Sequence, residues 1–372
     1  MSLAACVLLT SMLSFGAFSG AVAQVTTPEA EPEPPAGGIR IQGRDADPDD
    51  TGPDLGPAIP LLDFREEMRS FVSRIGQFAR RYKPDFSILV EDSLDLLVKR
   101  DDLDETQISP ARAYMRSIDG VLVTNLFNDN PNLDAEDNEA IRKRRLSLLD
   151  HAEENGLRVF VLDQETDQAR IDEARRQARE HGYAYQPRRS RSFETTDLPV
   201  YPSRPFDETG NSVISLDDAD NFGVVGNSAA YGRQDEFALK MHGTNYDVLI
   251  VDVFHGREPL SRQAVETLKY KASGARRLVF ARVNVGTAAS YRYYWQPNWQ
   301  EGSPRWIGAS VRGEPDNYFV EFWRPEWQRI IFGDTASYVY GVVDQGYDGV
   351  VLGGADVFEI YEGGEAAESR VQ

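Results

Sequence analysis

Apolar residues recur along this chain in two rhythms that alternate. The first is helical. Phe64, Met68, Phe71, Ile75 and Phe78 share one face over 63–82. Asp63 is placed as N-cap with Glu66 three residues on, as in a capping box, and Pro84 stops the helix. The second rhythm is a short, unbroken apolar run. Such runs occupy 86–90, 120–125, 158–162, 183–186, 222–225, 246–251, 278–285 and 349–352. Helices are predicted at 111–117, 135–155, 168–181, 234–242, 262–272 and 325–345, with Gly156 and Gly182 closing two of them. Runs that are apolar throughout predict a parallel sheet covered on both faces. Eight strand–helix units over 61–361 predict an α/β fold, a (β/α)8 TIM barrel. An open doubly wound sheet is the alternative. No G-x-G-x-x-G follows a strand, so a dinucleotide site has no support.

Two segments break the rhythm. Residues 187–220 carry Arg188, Arg189, Arg191 and several prolines with no periodicity, which is long for a loop inside a compact domain. Residues 278–328 begin as a strand ending at Gly286 and continue as a long aromatic loop. This loop holds all five tryptophans, Trp295, Trp299, Trp306, Trp323 and Trp327, with Tyr291, Tyr293, Tyr294, Tyr318, Arg292 and Arg324. Rigid rings with polar tips suit a sugar, and loops after strands are where sites are built; packing a core is the competing use of the same rings.

Composition adds boundaries. Acids outnumber bases 60 to 40, for a net charge of −20. That argues against a nucleic-acid partner, whose phosphates need a basic face, and tolerates a cationic one. Residues 1–23 are apolar, uncharged and end Ala21-Val22-Ala23, as in a secretory signal peptide, so a secreted or periplasmic location is expected. Residues 24–60 read as a disordered, acidic, proline-rich leader, and 362–372 as a tail. Cys6 is the only cysteine, so no disulfide framework or thiolate chemistry is expected after cleavage. No other stretch is long enough to span a membrane.

Acids cluster where predicted strands end, at the face on which barrels build their sites. Asp252 ends one strand, Glu91-Asp92 another, and Asp163 with Glu165 a third. Each is a candidate acid, base or ligand contact, against the alternative of a carboxylate that binds loop amides. Arg292, Tyr291, Trp295 and Trp323 are the candidate substrate contacts of the aromatic segment. The four histidines are scattered, no metal spacing is present, no G-x-S-x-G elbow occurs, and no cofactor is implied.

Longer motifs extend this reading. NYDVLIVD (245–252), LVFARVNVGTAASYRYYW (278–295), NYFVEFWRPEWQRIIFG (317–333) and GYDGVVLGGADVFE (346–359) resemble the endo-α-1,4-polygalactosaminidase family of glycoside hydrolases and its TIM-barrel relatives. So do EEMRSFVSRIGQFARRYKPDF (66–86) and MRSIDGVLVTNLF (115–127). The resemblance covers most of 63–186 and 221–359. It implies a barrel that hydrolyses α-glycosidic bonds in an amino-sugar polymer, with Asp252 at a family catalytic acid and Arg292 at a family arginine. Two departures accompany it. The blocks stand in exchanged order, as in a circular permutation, with 187–220 joining the usual chain ends. Relatives carry G-E-A-E where this chain has Gly286-Thr287-Ala288-Ala289, Asp at Gly353, Glu at Thr124, and Gln-Asn at Glu91-Asp92. Glycosidases normally flank the bond with two carboxyl groups. The resemblance therefore leaves two expectations: a hydrolase using Asp252 with Glu91 or Asp92, or a barrel that binds carbohydrate without cleaving it.

Overall fold

The structure, a computed structural model, describes residues 62–100, 108–190 and 198–363. The expected signal peptide, the leader and most of the tail lie outside the described residues. Eight parallel strands form one sheet: β1 Ser87–Glu91, β2 Gly120–Thr124, β3 Arg158–Gln164, β4 Ala184–Arg188, β5 Phe222–Val225, β6 Val248–Asp252, β7 Leu278–Asn284 and β8 Gly349–Gly353. Their order is β4-β3-β2-β1-β8-β7-β6-β5, so consecutive strands are neighbours except β4 and β5, and the first strand pairs with the last. The sheet curls until it is nearly barrel-shaped, with β4 and β5 at the two edges. The Gln186 side chain, on β4, lies close to that of Tyr246, just before β6, on the far side of that gap.

Two cores explain the curvature. Helices such as Phe64–Tyr82 pack Phe71 and Ile75 against the outer face of the strands, where Ile88, Val123, Val251 and Val350 point. A second cluster fills the inside. It takes Leu89, Leu122, Phe160 with Leu162, Ala184, Phe222 with Val224, Val248 with Ile250, Leu278 with Phe280, and Val351, so every strand contributes. Phe160 and Phe222 meet edge-on at 5.2 Å between ring centroids, joining β3 to β5. Unbroken apolar strands follow directly from this arrangement, because both of their faces are dry.

Segment 198–220 lies against the N-terminal end of the strands. Val213, Leu216 and Ala219 plug the inner cluster from below. The Lys271 ammonium, fully buried beside the equally buried Asp247, also donates to the carbonyls of Thr209 and Asn211. Asp119 and Asp348, just before β2 and β8, likewise accept from the amides of Ile88 and Val279. Acids at this end therefore hold backbone.

Two expected elements are revised. The helix expected over 325–345 is two helices, Pro325–Ile331 and Tyr338–Gln345. Phe332 is extended at the first C-cap, and the Asp334 carboxylate turns the chain by accepting from the Ala336 amide. The aromatic loop contains a three-stranded antiparallel sheet, Thr287–Ala289, Glu314–Val320 and Ile307–Val311. Gly313, with φ +82°, makes the tight turn of its hairpin.

Candidate functional site

Strand alternation decides what reaches the mouth of the sheet. Side chains two residues apart share a face. Counting two residues on from the inner cluster gives Glu91 after Leu89, Thr124 after Leu122, Asp252 after Ile250, Arg282 after Phe280, and Gly353 after Val351. Gln186 and then Arg188 follow Ala184 in the same way. The strands thus end in a polar layer laid directly on the inner core. Above it opens a cleft of about 770 Å³, lined among others by Glu91, Asp92, Arg188, Asp252, Arg282 and Arg292. Tyr291, Tyr294, Thr287 and Tyr338 form part of its wall.

Two ion pairs dominate the floor. Arg292 grips Asp252 with both nitrogens, Nη1 to Oδ1 at 3.1 Å and Nη2 to Oδ2 at 2.6 Å. The Phe254 amide donates to Oδ1 as well, at 2.8 Å. The Arg292 guanidinium lies 4.7 Å from the centre of the Phe254 ring and 5.4 Å from that of Tyr291. Such stacking fixes the planar fork that a bidentate carboxylate needs. On the other side Arg282 Nε donates to Glu91 Oε2 at 2.8 Å. Arg282 is also the register partner of Asp252 on the neighbouring strand. Arg282 thus stands between the strands that end in Glu91 and Asp252 and pairs with Glu91, which is only 8% exposed.

Asp92 adopts a left-handed backbone, φ +51°, and turns aside. Its carboxylate accepts from the Thr124 amide, the Thr124 hydroxyl and Arg145. Burial, opposed by Arg145, pushes its pKa up to about 6. Asp163, also pushed up to about 6 by burial, is wholly enclosed. It accepts from the amides of Leu126 at 2.7 Å and Phe127 at 3.1 Å, so it orders the loop after β2 and does not line the cleft.

Of the residues proposed from sequence, Glu91, Asp92, Asp252, Tyr291 and Arg292 come together. Trp295 and Trp323 do not join them. Trp295 stacks on Tyr318 at 5.2 Å, and Trp323 packs against Phe64 and Tyr361. Trp299, Trp306 and Trp327 continue a chain of ring contacts that ends with Trp327 Nε1 donating to the Val285 carbonyl, fully buried. The packing use of these indoles prevails because the small antiparallel sheet needs its own core. Arg188 and Arg282 escaped sequence reasoning. A charged residue inside the apolar run LVFARVN, and one two residues past Gln186, were the signals available.

The cleft does not end at the strand tips. Thr124 and Asn125 also line an adjoining groove, whose walls carry Asn128, Asn130, Arg142 and Gln164. Among the described residues no cluster of His, Cys, Asp or Glu could hold a metal, and no helix is long and apolar enough to cross a membrane.

No family model matches the chain. It is similar to an uncharacterized protein of Thermotoga maritima, 30% identical over 131 residues, 35% of this chain and 39% of that protein. An uncharacterized protein of Methanocaldococcus jannaschii is 28% identical over 177 residues, 46% of this chain and 48% of that one. An uncharacterized protein of Deinococcus radiodurans is 28% identical over 131 residues, 35% and 40% of the two chains. The chain thus matches less than half the length of each of these relatives.

Proposed function

We propose that this protein is a glycoside hydrolase-like barrel that acts on a polysaccharide outside the cytoplasm. One observation carries the reading. At the C-terminal ends of the strands a single cleft gathers Glu91 and Asp252, arginines that orient both, and a half-exposed Tyr291 ring. Paired carboxyl groups are the machinery of glycosidic hydrolysis, and an exposed ring beside them suits a sugar face. The polar groove running on from Thr124 and Asn125 gives room for a polymer, not only a terminal sugar. In this reading Glu91 handles the proton and Asp252, held by Arg292, supplies the fixed negative charge. An amino-sugar polymer is the first substrate class to assay.

A closed (β/α)8 barrel in permuted order belongs to the same proposal. It is supported by the gap between β4 and β5, bridged in sequence by the arrhythmic segment expected there, while β1 and β8 pair. Gly353 supports it chemically. The resemblance places an acid at that position, and here the Glu91 carboxylate lies in the space a side chain at 353 would enter.

A second reading, carbohydrate binding without hydrolysis, is favoured by the commitment of Asp252 to Arg292 through both oxygens. Reducing-end release from galactosaminogalactan-like polymers separates the two. Hydrolysis lost in both Asp252→Asn and Glu91→Gln supports the enzyme; binding with no release by the unaltered protein supports the binding module; neither binding nor release defeats both.

A further inference from the structure

Arg188 is the one cleft arginine that no mouth carboxylate grips. It ends β4, is only 7% exposed, and lines the cleft beside Glu91, Asp92 and Arg282. Among the described residues its guanidinium donates no hydrogen bond and makes no ion pair, and its Nε is enclosed without a partner. A guanidinium carries five donors in a rigid fork, and burying them unpaired is costly. Burial works against its charge, Glu91, Asp92 and Asp163 sustain that charge from a distance, and Arg282 opposes it. The nearby acids therefore make a cation tolerable at this place without using its donors. Asp92 is held by Thr124 and Arg145, Asp163 by two amides, and Glu91 by Arg282, so each has its own partner.

We propose that Arg188 receives a carboxylate carried by the glycan, so that the polymer bound in this cleft is acidic, of the uronate-bearing class. The inference rests on the carbohydrate reading of the cleft and deepens it. A planar carboxylate matches the fork through two parallel hydrogen bonds and relieves the repulsion between Arg188 and Arg282; a hydroxyl does only the first, with one bond. The local chemistry thus runs opposite to the net charge of the whole chain, which tolerates a cationic polymer. Arg188 is a specificity residue here and takes no part in bond breaking.

The test is calorimetric titration of the full chain with tetragalacturonate, a neutral cello-tetramer, a chitosan tetramer and inorganic phosphate. Tetragalacturonate is expected to bind, to weaken at least about tenfold in Arg188→Gln, and to weaken less in Arg188→Lys, which keeps the charge but loses the fork. Binding of the neutral tetramer should be indifferent to either change. If Arg188→Gln melts below the unaltered protein, Arg188→Lys carries the comparison. Uronate binding within twofold of the original in a variant that melts normally overturns the proposal. So does phosphate binding without uronate binding. A neutral or chitosan tetramer that binds while the uronate does not sinks this inference and leaves the carbohydrate reading standing. If no tetramer binds, both fall.

Discussion

A Cβ on Gly353 would lie 2.8 Å from Glu91 Oε2, and 2.6 Å from Arg282 Nη2. The absence of a side chain on β8 is therefore what lets a carboxylate from β1 and a guanidinium from β7 meet over the inner core. The pair is built by three strands that are adjacent in the sheet and far apart in sequence.

Gly353→Ala tests that relationship. The added methyl meets the ends of both side chains, the Glu91 carboxylate and the Arg282 guanidinium, which must swing aside and loosen the pair. Overpacking of this kind costs about 1–3 kcal/mol, read as a lower midpoint in urea unfolding. Glycan binding should fall with it. Gly210→Ala, with nothing within 4 Å of its Cβ and no left-handed backbone, is the control for a glycine change outside the cleft.

Arg292→Ala should leave the Asp252 carboxylate with only the Phe254 amide. Both members of the pair are about four-fifths buried, with side-chain exposures of 18% and 21%. The expected loss is about 2 kcal/mol, the scale of a charge-assisted hydrogen bond removed from a partly buried site. Thermal unfolding reads the stability, and Arg292→Lys should recover only part of it, because an ammonium cannot grip two oxygens in a plane.

Asp163 ties stability to pH. Burial raises its folded pKa to about 6, above the usual value for an unfolded aspartate, so between the two values the folded state binds more protons. Its contribution to stability therefore declines as pH rises from about 4 to about 6, by roughly 1.4 kcal/mol for each step of one in pH. Asp92 adds in the same direction. Urea unfolding across that window should show the decline, and Asp163→Asn should flatten it while costing stability through the Leu126 and Phe127 amides.

Lys271→Met removes the only cation paired with Asp247 among the described residues, and two carbonyl contacts to segment 198–220. Leaving a buried carboxylate without its countercharge, held only by the Asp220 amide and the Asn221 side chain, costs about 3–5 kcal/mol. Hydrogen exchange should quicken at Thr209–Val213 before it does in the strands; equal protection there would show that the apolar plug holds the segment by itself.

Tyr291→Ala should lower the melting temperature only slightly, because the ring is half exposed and the Arg292 guanidinium keeps its closer contact with Phe254. Glycan affinity should drop by about 1 kcal/mol, the value of a stacked aromatic face. An unchanged affinity would move the sugar away from this wall of the cleft.

Much of this molecule was determined by sequence alone. The eight apolar runs and the helices between them follow from local rules, since a strand buried on both faces must be apolar throughout and Asp63 caps its helix with its own side chain. The acids at strand ends were legible for the same reason: two residues past an inward-facing one is again inward. Tertiary structure alone decided which of them share a site. Asp163 turned to backbone amides, the indoles turned to one another, and Arg188 and Arg282 entered the cleft. Those outcomes depend on which strands become neighbours when the sheet curls, and on space such as that left by Gly353. Spacing along the chain carries no record of either, because the partners are brought together only when the inner core closes beneath them.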